Sequence, residues 1–337
     1  MSVIFYRYDG SPYSTKLDNA LTLKRIPHQR VNVHPIVSER PEITDLLGVG
    51  YRRIPILAIG NDIYCDTNLI IPVLERRFPP SQGYGTLFPP DKHESGESPR
   101  SNTGLLKAFA KHYGDAVLNR LAVSLLSWEK LPPQMLEDRS KIFGHPIDPQ
   151  KFAEARPKTL SQLASHLALI EEQLQDGRAW LLDTTTPSLA DLSVHLGLFW
   201  MTTGALFDSQ IVHSVLNDTK FPRIMKWLES MNTHLETLRH DQTETRSTID
   251  GDDAAQKIAK ASHEPDDIVG FDETAAEWLG VQRGGMARIR PDDSAKDWPH
   301  EGKLVSLNYE EVCVESRGTA GTFRVHFPRI GFSIEAL

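Results

Sequence analysis

Two serines lie on either side of a proline where an apolar strand pattern gives way to a helical one near the start of the chain. The residues VIFYRY predict a strand, and Ser11-Pro12-Tyr13-Ser14 predicts the start of a helix. A helix N-terminus carries free N–H groups and a partial positive charge, so this turn could stabilise an anion beside the Ser11 hydroxyl. A serine before a proline is also an ordinary helix cap, which is the alternative interpretation.

Composition limits the classes of protein that the chain can belong to. It has 337 residues, 39% of them hydrophobic, and a net charge of -8. Apolar runs are too short for a membrane span, and clustered basic residues of the kind that bind nucleic acid are missing, so neither partner is expected. Cys65 and Cys313 are too few for a disulfide framework or a zinc site, and there is no signal-like N-terminus. We therefore expect a cytoplasmic protein without a metal.

The chain divides by pattern into five parts. Residues 1–80 alternate strands and helices, 81–101 are a Gly, Ser and Pro-rich linker, and 102–240 are helical throughout. Residues 241–267 are polar and poor in large apolar side chains, which predicts a flexible linker, and 268–337 show β-rich alternation. The predicted fold class is an α/β domain, an all-α helical bundle and a small C-terminal β-rich module.

Four short motifs, in this order, resemble those of glutathione transferases. SPYSTK lies at the strand-to-helix turn that holds the catalytic Ser or Cys in that family, and Ile54-Pro55 in RRIPIL resembles its cis-proline step. Asp66-Thr67 in YCDTNLI resembles the acidic and hydroxyl pair that holds the γ-glutamyl end of glutathione, and Ser188 and Asp191 in SLADLSVH form a capping-box pattern. The resemblance covers residues 1 to about 240 and implies a thioredoxin-like first domain. The extra C-terminal module suggests a fungal-type member.

The resemblance implies that glutathione is the co-substrate and that Ser11 activates its thiol. Ser14 is the reserve candidate, because some relatives place the working hydroxyl one turn later. Tyr6 lies on the preceding strand, where other classes carry a catalytic tyrosine, and it is a further reserve. A cysteine at position 11 would favour disulfide exchange, whereas serine favours stabilisation of the glutathione thiolate.

The other motifs would bind the rest of glutathione. Ile54 and Pro55 would present a main-chain edge to the cysteinyl part, and Arg53 could attract the glycine carboxylate. Asp66 would pair with the α-ammonium group, while Thr67 and the following helix N-terminus would take the α-carboxylate. Asp66 and Thr67 could instead only cap that helix.

The predicted function is a glutathione transferase that conjugates an electrophilic small molecule, or isomerises one by reversible addition, in detoxification or secondary metabolism. The resemblance also implies a homodimer formed through the first domain and the start of the helical one. The alternative is a catalytically silent, glutathione transferase-like binding or regulatory module. The electrophile cannot be named, because ordinary apolar residues would line its pocket.

Overall fold

The computed structural model describes residues 1–36, 40–92, 102–242 and 246–337. Residues 93–101 of the predicted first linker and 243–245 of the predicted second one therefore lie outside the described residues. Within the described ranges, no helix is both long enough and apolar enough to cross a bilayer.

The N-terminal part has the predicted alternation of strands and helices. Its elements are β1 (Val3–Arg7), α1 (Pro12–Lys24), β2 (His28–Asn32), α2 (Pro41–Thr44), β3 (Ile56–Ile59), β4 (Asp62–Cys65) and α3 (Thr67–Arg77). β1 pairs in parallel with β2 and antiparallel with β3, and β3 pairs antiparallel with β4. The Gly60-Asn61 turn joins the last two strands, as its sequence predicts.

The middle of the chain is helical. It contains α4 (Thr103–Ala108), a π-helical segment (Phe109–Asn119), α5 (Arg120–Ser124), α6 (Pro133–Phe143), α7 (Pro149–Gln173), α8 (Leu189–Thr203), α9 (Ser209–Val215) and α10 (Pro222–Asp241). The predicted capping box begins α8: the Ser188 N–H donates to the Asp191 carboxylate (2.9 Å), and the Ala190 N–H donates to the Ser188 hydroxyl (3.2 Å). Asp191 also accepts from Leu181 N (2.8 Å) and Trp227 Nε1 (2.9 Å), so it joins three parts of the bundle.

The C-terminal part contains both helices and strands. Its elements are β5 (Arg246–Thr248), α11 (Gly251–Ala259), α12 (Asp266–Val269), α13 (Glu273–Leu279), β6 (Met286–Pro291), β7 (His300–Leu307), β8 (Glu311–Arg317), β9 (Thr322–Pro328) and β10 (Phe332–Ala336). The predicted fold class is thus confirmed, with a thioredoxin-like first domain, a helical middle and C-terminal strands.

The strands of the first and last parts form one sheet of ten strands. Their order is β10-β6-β7-β8-β9-β4-β3-β1-β2-β5. β4 pairs in parallel with β9, and β2 pairs in parallel with β5, so the C-terminal segment adds strands at both edges of the N-terminal four. The β-rich part is therefore a direct extension of the N-terminal sheet.

The predicted flexible linker at 241–267 is wrong for most of its described residues. β5 and α11 occupy much of this stretch, and Ala254, Ala255 and Ile258 on α11 are completely buried. The linker was predicted from the scarcity of large apolar residues, but two alanines and an isoleucine on one helical face are enough for close packing against a sheet.

The sheet separates two apolar cores, and alternation along β1 assigns its residues to them. Val3 and Phe5 face the core shared with the helical bundle, whereas Ile4 and Tyr6 face the core beneath the C-terminal segment. Successive strand side chains point to opposite faces, which accounts for this division.

A buried ionic cluster lies where β4 meets β9. The ring of His326 on β9 contacts Asp62 on β4 (3.1 Å) and Glu311 on β8 (2.6 Å). Arg77 contacts Asp62 (2.9 Å), and Arg76 contacts Glu311 (3.0 Å), so α3 closes the cluster. Each buried carboxylate therefore has cationic partners on two sides, as burial of charge requires.

Candidate active site

Three chain segments reach the same end of the N-terminal sheet. β1 ends there and leads through Ser11 into α1, while β3 begins there directly after Ile54-Pro55, because the two strands are antiparallel and pair Tyr6 with Ile56. β4 ends there too, with Cys65 opposite Ile56, and leads into Asp66. The topology thus brings the first three predicted motifs together along one edge of the site, the end of the sheet where β1 and β4 finish and β3 begins.

Ser11 is the N-cap of α1, the role that the alternative interpretation gave it. Its Oγ accepts a hydrogen bond from Ser14 N (3.3 Å), and its backbone N–H donates to Tyr8 O (3.4 Å). Within the described residues the hydroxyl hydrogen of Ser11 has no acceptor. The side chain lies just below the surface, with Ser11 only 3% exposed.

The two reserve candidates lie deeper than Ser11. Ser14 and Tyr6 are completely buried, and neither Ser14 Oγ nor the Tyr6 hydroxyl has a hydrogen-bond partner in the described part of the chain. Burial raises the pKa of Tyr6 above its ordinary value, with a smaller contribution from Glu42. Tyr6 also faces the core on the C-terminal side of the sheet, away from the helical bundle.

The peptide bond between Ile54 and Pro55 is cis, as the sequence motif suggested. The main-chain N–H and C=O of Ile54, in the ranges that the structure describes, have no hydrogen-bond partner. A half-exposed backbone edge of this kind can pair with the main chain of a bound peptide, in the manner of an added strand.

Asp66 and Thr67 begin α3. One Asp66 carboxylate oxygen accepts from both the main-chain and the side-chain nitrogen of Asn68 (2.9 Å each), so Asp66 is a helix cap. Its backbone has φ 73° and ψ 131°, in the positive-φ region that residues other than glycine seldom adopt. Such outliers concentrate at functional sites, which supports a role beyond capping. Thr67 is almost fully buried beside it.

The helical bundle supplies a second carboxylate that the sequence analysis missed. Asn68 Nδ2 lies 2.9 Å from Asp66 and 3.3 Å from Asp115, so one amide group bridges the two acids. Lys16 Nζ contacts Asp115 at 2.9 Å. Burial raises the pKa of Asp115, and nearby Asp66 adds to that effect, while Lys16 opposes it. The group thus contains two carboxylates, Asp66 and Asp115, and a single lysine. The net charge of the three groups is negative, which suits the binding of an ammonium group.

Tyr13 and Asn119 were also missed. Asn119, the last residue of the π-helical segment, donates from Nδ2 to the Tyr13 hydroxyl (3.0 Å). Burial raises the pKa of Tyr13 well above its ordinary value, with further contributions from Asp115 and Asp66. π-Helical segments often occur at functional sites. The sequence did contain a signal for Tyr13, because this residue lies in the SPYSTK motif, two residues after Ser11.

Arg53 is bound within the chain. Its Nη1 lies 3.3 Å from one oxygen of Asp293, its Nη2 contacts the other oxygen, and Nη2 also donates to Ser294 O (3.0 Å). These partners lie in the loop between β6 and β7. No pattern near Arg53 indicates that the C-terminal part reaches this edge.

A cavity of about 570 Å³ lies beside the same edge, between α6 and the residues that precede Ile54. Two arginines in its wall are bound by the protein itself: Arg52 contacts both oxygens of Asp138 (2.8 and 2.7 Å), and Arg40 donates to Arg52 O (3.1 Å). Burial is the main cause that lowers the pKa of Arg40 to about 10. Trp298 completes the wall from the C-terminal part.

Comparison with protein-family models gives two matches. Residues 5–82 match the N-terminal domain of glutathione S-transferases, and residues 125–239 match a domain of unknown function, DUF7962. A search of curated proteins found no significant match.

Comparison with solved structures finds a protein that shares the fold. A GST-like protein from Pseudomonas syringae is 24% identical, with each chain covered in full and a TM-score of 0.67. A Tau class glutathione S-transferase from mango, Mangifera indica, is 15% identical, and the match covers 72% of this chain and 98% of that one with a TM-score of 0.46. The Pseudomonas syringae protein is bacterial. The fungal-type origin stays a prediction. The chain thus has a glutathione S-transferase N-terminal domain followed by a helical domain, and its overall fold is that of a GST-like protein.

Proposed function

We propose that this protein binds glutathione at the edge where Ser11, Ile54 and Asp66 meet, and that it activates the glutathione thiol. The observation that carries the proposal is the unpaired main chain of Ile54. It lies between the N-terminus of α1, at Ser11, and the N-terminus of α3, where Asp66 supplies a carboxylate. A peptide paired with Ile54 would present its thiol to one helix and its charged end to the other.

Ser11 would favour the thiolate form of glutathione. The ordinary pKa of such a thiol is about 8.5, so little thiolate exists at neutral pH. A hydrogen bond from the Ser11 hydroxyl to sulfur, together with the partial positive charge of the α1 N-terminus, stabilises the anion. The hydroxyl can donate while its oxygen continues to accept from Ser14 N.

The acidic end of the edge would hold the γ-glutamyl group. Asp66 and Asp115 would share its α-ammonium group, while the α3 N-terminus and Thr67 would bind its α-carboxylate. Asn68 holds the two carboxylates side by side, which supports this division of charge.

The proposed reaction is attack by the thiolate on an electrophilic small molecule. In conjugation, a bond forms between sulfur and an electrophilic carbon, and the leaving group departs with the electrons of its former bond. In isomerisation, sulfur adds to the substrate and leaves again after bond rotation. The thiol proton passes to solvent when the thiolate forms, and roles in detoxification or secondary metabolism fit this chemistry.

The test is the titration of bound glutathione in the wild type and in Ser11→Ala, followed by ultraviolet absorbance of the thiolate. A hydrogen bond to a charged group is worth about 1.5 to 3 kcal/mol, so the thiol pKa should rise by about one to two units, with affinity nearly unchanged. Ser11→Cys should gain mixed-disulfide exchange with glutathione. If Ser14→Ala or Tyr6→Phe raises this pKa and Ser11→Ala does not, Ser11 is only a cap.

Two observations favour the second candidate, a catalytically silent binding or regulatory module. Ser11 is 3% exposed, and the C-terminal segment already occupies Arg53, so the site is partly covered by its own chain. A silent module would retain glutathione on an affinity column but give no rate enhancement with any of a panel of electrophiles.

A cytoplasmic homodimer is part of the main proposal. Cys65 and Cys313 are free and buried, which suits a reducing compartment. The β4 edge and the α3 arginines are covered by the C-terminal segment, so a dimer would have to use the remaining surface of the first domain. Sedimentation that gives a monomer at micromolar concentrations would reject the dimer.

A further inference from the structure

The loop between β6 and β7, residues 292–299, connects the C-terminal sheet to the candidate active site. Through Asp293 and Ser294 it supplies three of the contacts that Arg53 makes, two from the carboxylate and one from a carbonyl oxygen. Arg53 immediately precedes Ile54, the residue with the free main chain. The loop therefore reaches the site at the position next to the proposed peptide-binding edge.

Packing on both sides fixes this loop. Ala295 is almost fully buried, and its N–H donates to Ile142 O on α6 (2.7 Å). On the other side, Pro299 O lies 2.5 Å from the position that a Cβ atom on Gly50 would take, and the Gly50 N–H donates to His300 Nδ1 (3.2 Å). These contacts follow Asp293 in the chain, and just before it the Asp292 N–H donates to Gly331 O (3.0 Å), so the loop is anchored to the fold on both sides of Asp293.

The Arg53 guanidinium is held on an aromatic surface and directed towards this loop. It lies 5.9 Å from the ring centres of both Tyr51 and Phe332. Its side chain is 22% exposed, whereas the side chain of Asp293 is 66% exposed. The arginine is therefore fixed in place, while the carboxylate that neutralises it lies at the surface, where a second carboxylate could compete for the same N–H groups.

We propose that Asp293 is a specificity-determining residue that reduces the contribution of the glycine carboxylate to glutathione binding. The inference rests on the proposed function. A γ-glutamyl-cysteinyl peptide held at Asp66 and paired with Ile54 continues past Ile54 towards Arg53, so its C-terminal carboxylate meets a guanidinium that Asp293 already occupies. The site then recognises the γ-glutamyl-cysteinyl part, and γ-glutamylcysteine and glutathione are bound almost equally well.

The experiment is titration calorimetry of the full-length protein with glutathione and with γ-glutamylcysteine. In the wild type, we expect dissociation constants within about threefold of each other. In Asp293→Asn, glutathione should bind about tenfold more tightly, because its glycine carboxylate gains a charge-assisted contact with Arg53, while γ-glutamylcysteine is unchanged. Asp297→Asn is the matched control, since Asp297 is an exposed acid of the same loop without a hydrogen bond in the described residues.

A second variant pair makes the test independent of any change in the loop. Arg53→Gln in the wild type should change glutathione affinity little, but in the Asp293→Asn background it should remove the tenfold gain. Binding of both thiols with no gain in Asp293→Asn, or a gain that survives Arg53→Gln, would overturn this inference alone. No binding of either thiol to any of these proteins would overturn the proposed function with it.

Discussion

The Nε2 atom of His326 on β9 lies 3.1 Å from a carboxylate oxygen of Asp62 on β4, at the point where the N-terminal and C-terminal halves of the sheet are joined. Its other ring nitrogen lies 2.6 Å from Glu311. A ring between two carboxylates donates from both nitrogens and so carries a positive charge, buried and paired on each side.

Stability should therefore decrease as the pH rises above neutrality. Burial alone would lower the pKa of His326, but Cys313, Tyr64 and Asp62 raise it well above its ordinary value. A raised folded-state pKa gives stabilisation that is complete below the unfolded value of about 6.5 and is lost as pH rises through the folded value. Urea unfolding from pH 6 to 9 should show this decline in the free energy of unfolding.

The His326→Gln variant isolates the effect. It should be less stable than the wild type near pH 6, with a difference that shrinks as pH rises. His213→Gln, at an exposed histidine on α9, should follow the wild-type profile. A constant difference between wild type and His326→Gln across this range would mean that the ring is neutral in the folded protein.

Asp66 can be tested with two substitutions that separate binding from capping. Both Asp66→Asn and Asp66→Ala lose the charge, and each should weaken glutathione binding by about 1.5 to 3 kcal/mol. Asparagine still caps α3, whereas alanine should cost about 1 kcal/mol of stability as well. Calorimetry and thermal melts distinguish the two effects. Unchanged affinity in both variants would leave Asp66 as a cap only.

Asp191 should be far more important for stability than an ordinary helix cap. Asp191→Ala leaves Leu181 N, Trp227 Nε1 and the Ser188 donors without their acceptor, inside the protein. We expect a loss of about 3 kcal/mol or more in the free energy of unfolding, measured with urea. Asp208→Ala removes only the cap of α9 and should cost about 1 kcal/mol. Equal losses would contradict this difference.

Removing residues 268–337 should unfold the remainder or cause it to aggregate. The truncation would expose the β4 edge, leave Asp62 without His326, and uncover Ile4, Tyr6 and their apolar neighbours in the second core. Size exclusion and circular dichroism of residues 1–267 would show this. A soluble fragment with a cooperative melt would instead show that residues 268–337 form a separable module.

Local patterns were enough to predict much of the fold. The start of α1 at Ser11-Pro12, the Gly60-Asn61 turn and the capping box at Ser188 depend on residues close together in the chain, and the structure has all three. The same kind of evidence placed Ser11, Ile54 and Asp66 in separate motifs, and the antiparallel strands bring them to one edge.

The parts that sequence could not predict depend on distant pairings. Nothing near Arg53 indicates that Asp293 contacts it, and nothing near Asn68 indicates Asp115. The pairing of β4 with β9 cannot be read from either strand, because alternation fixes which face a side chain takes but not which strand lies beside it. The missed linker helix, α11, packs with alanines, whose small apolar surface gives a weak periodic signal.

The join between β4 and β9 also has a consequence for synthesis of the chain. Asp62 and His326 are 264 residues apart, so most of the protein must leave the ribosome before β4 can acquire its neighbour. Until then the N-terminal sheet has an open edge beside apolar residues, which is a template for pairing with other nascent chains. Closing so long a loop also slows the last step of folding. This protein should depend on chaperones during translation more than a thioredoxin-like domain that completes its sheet within its first eighty residues.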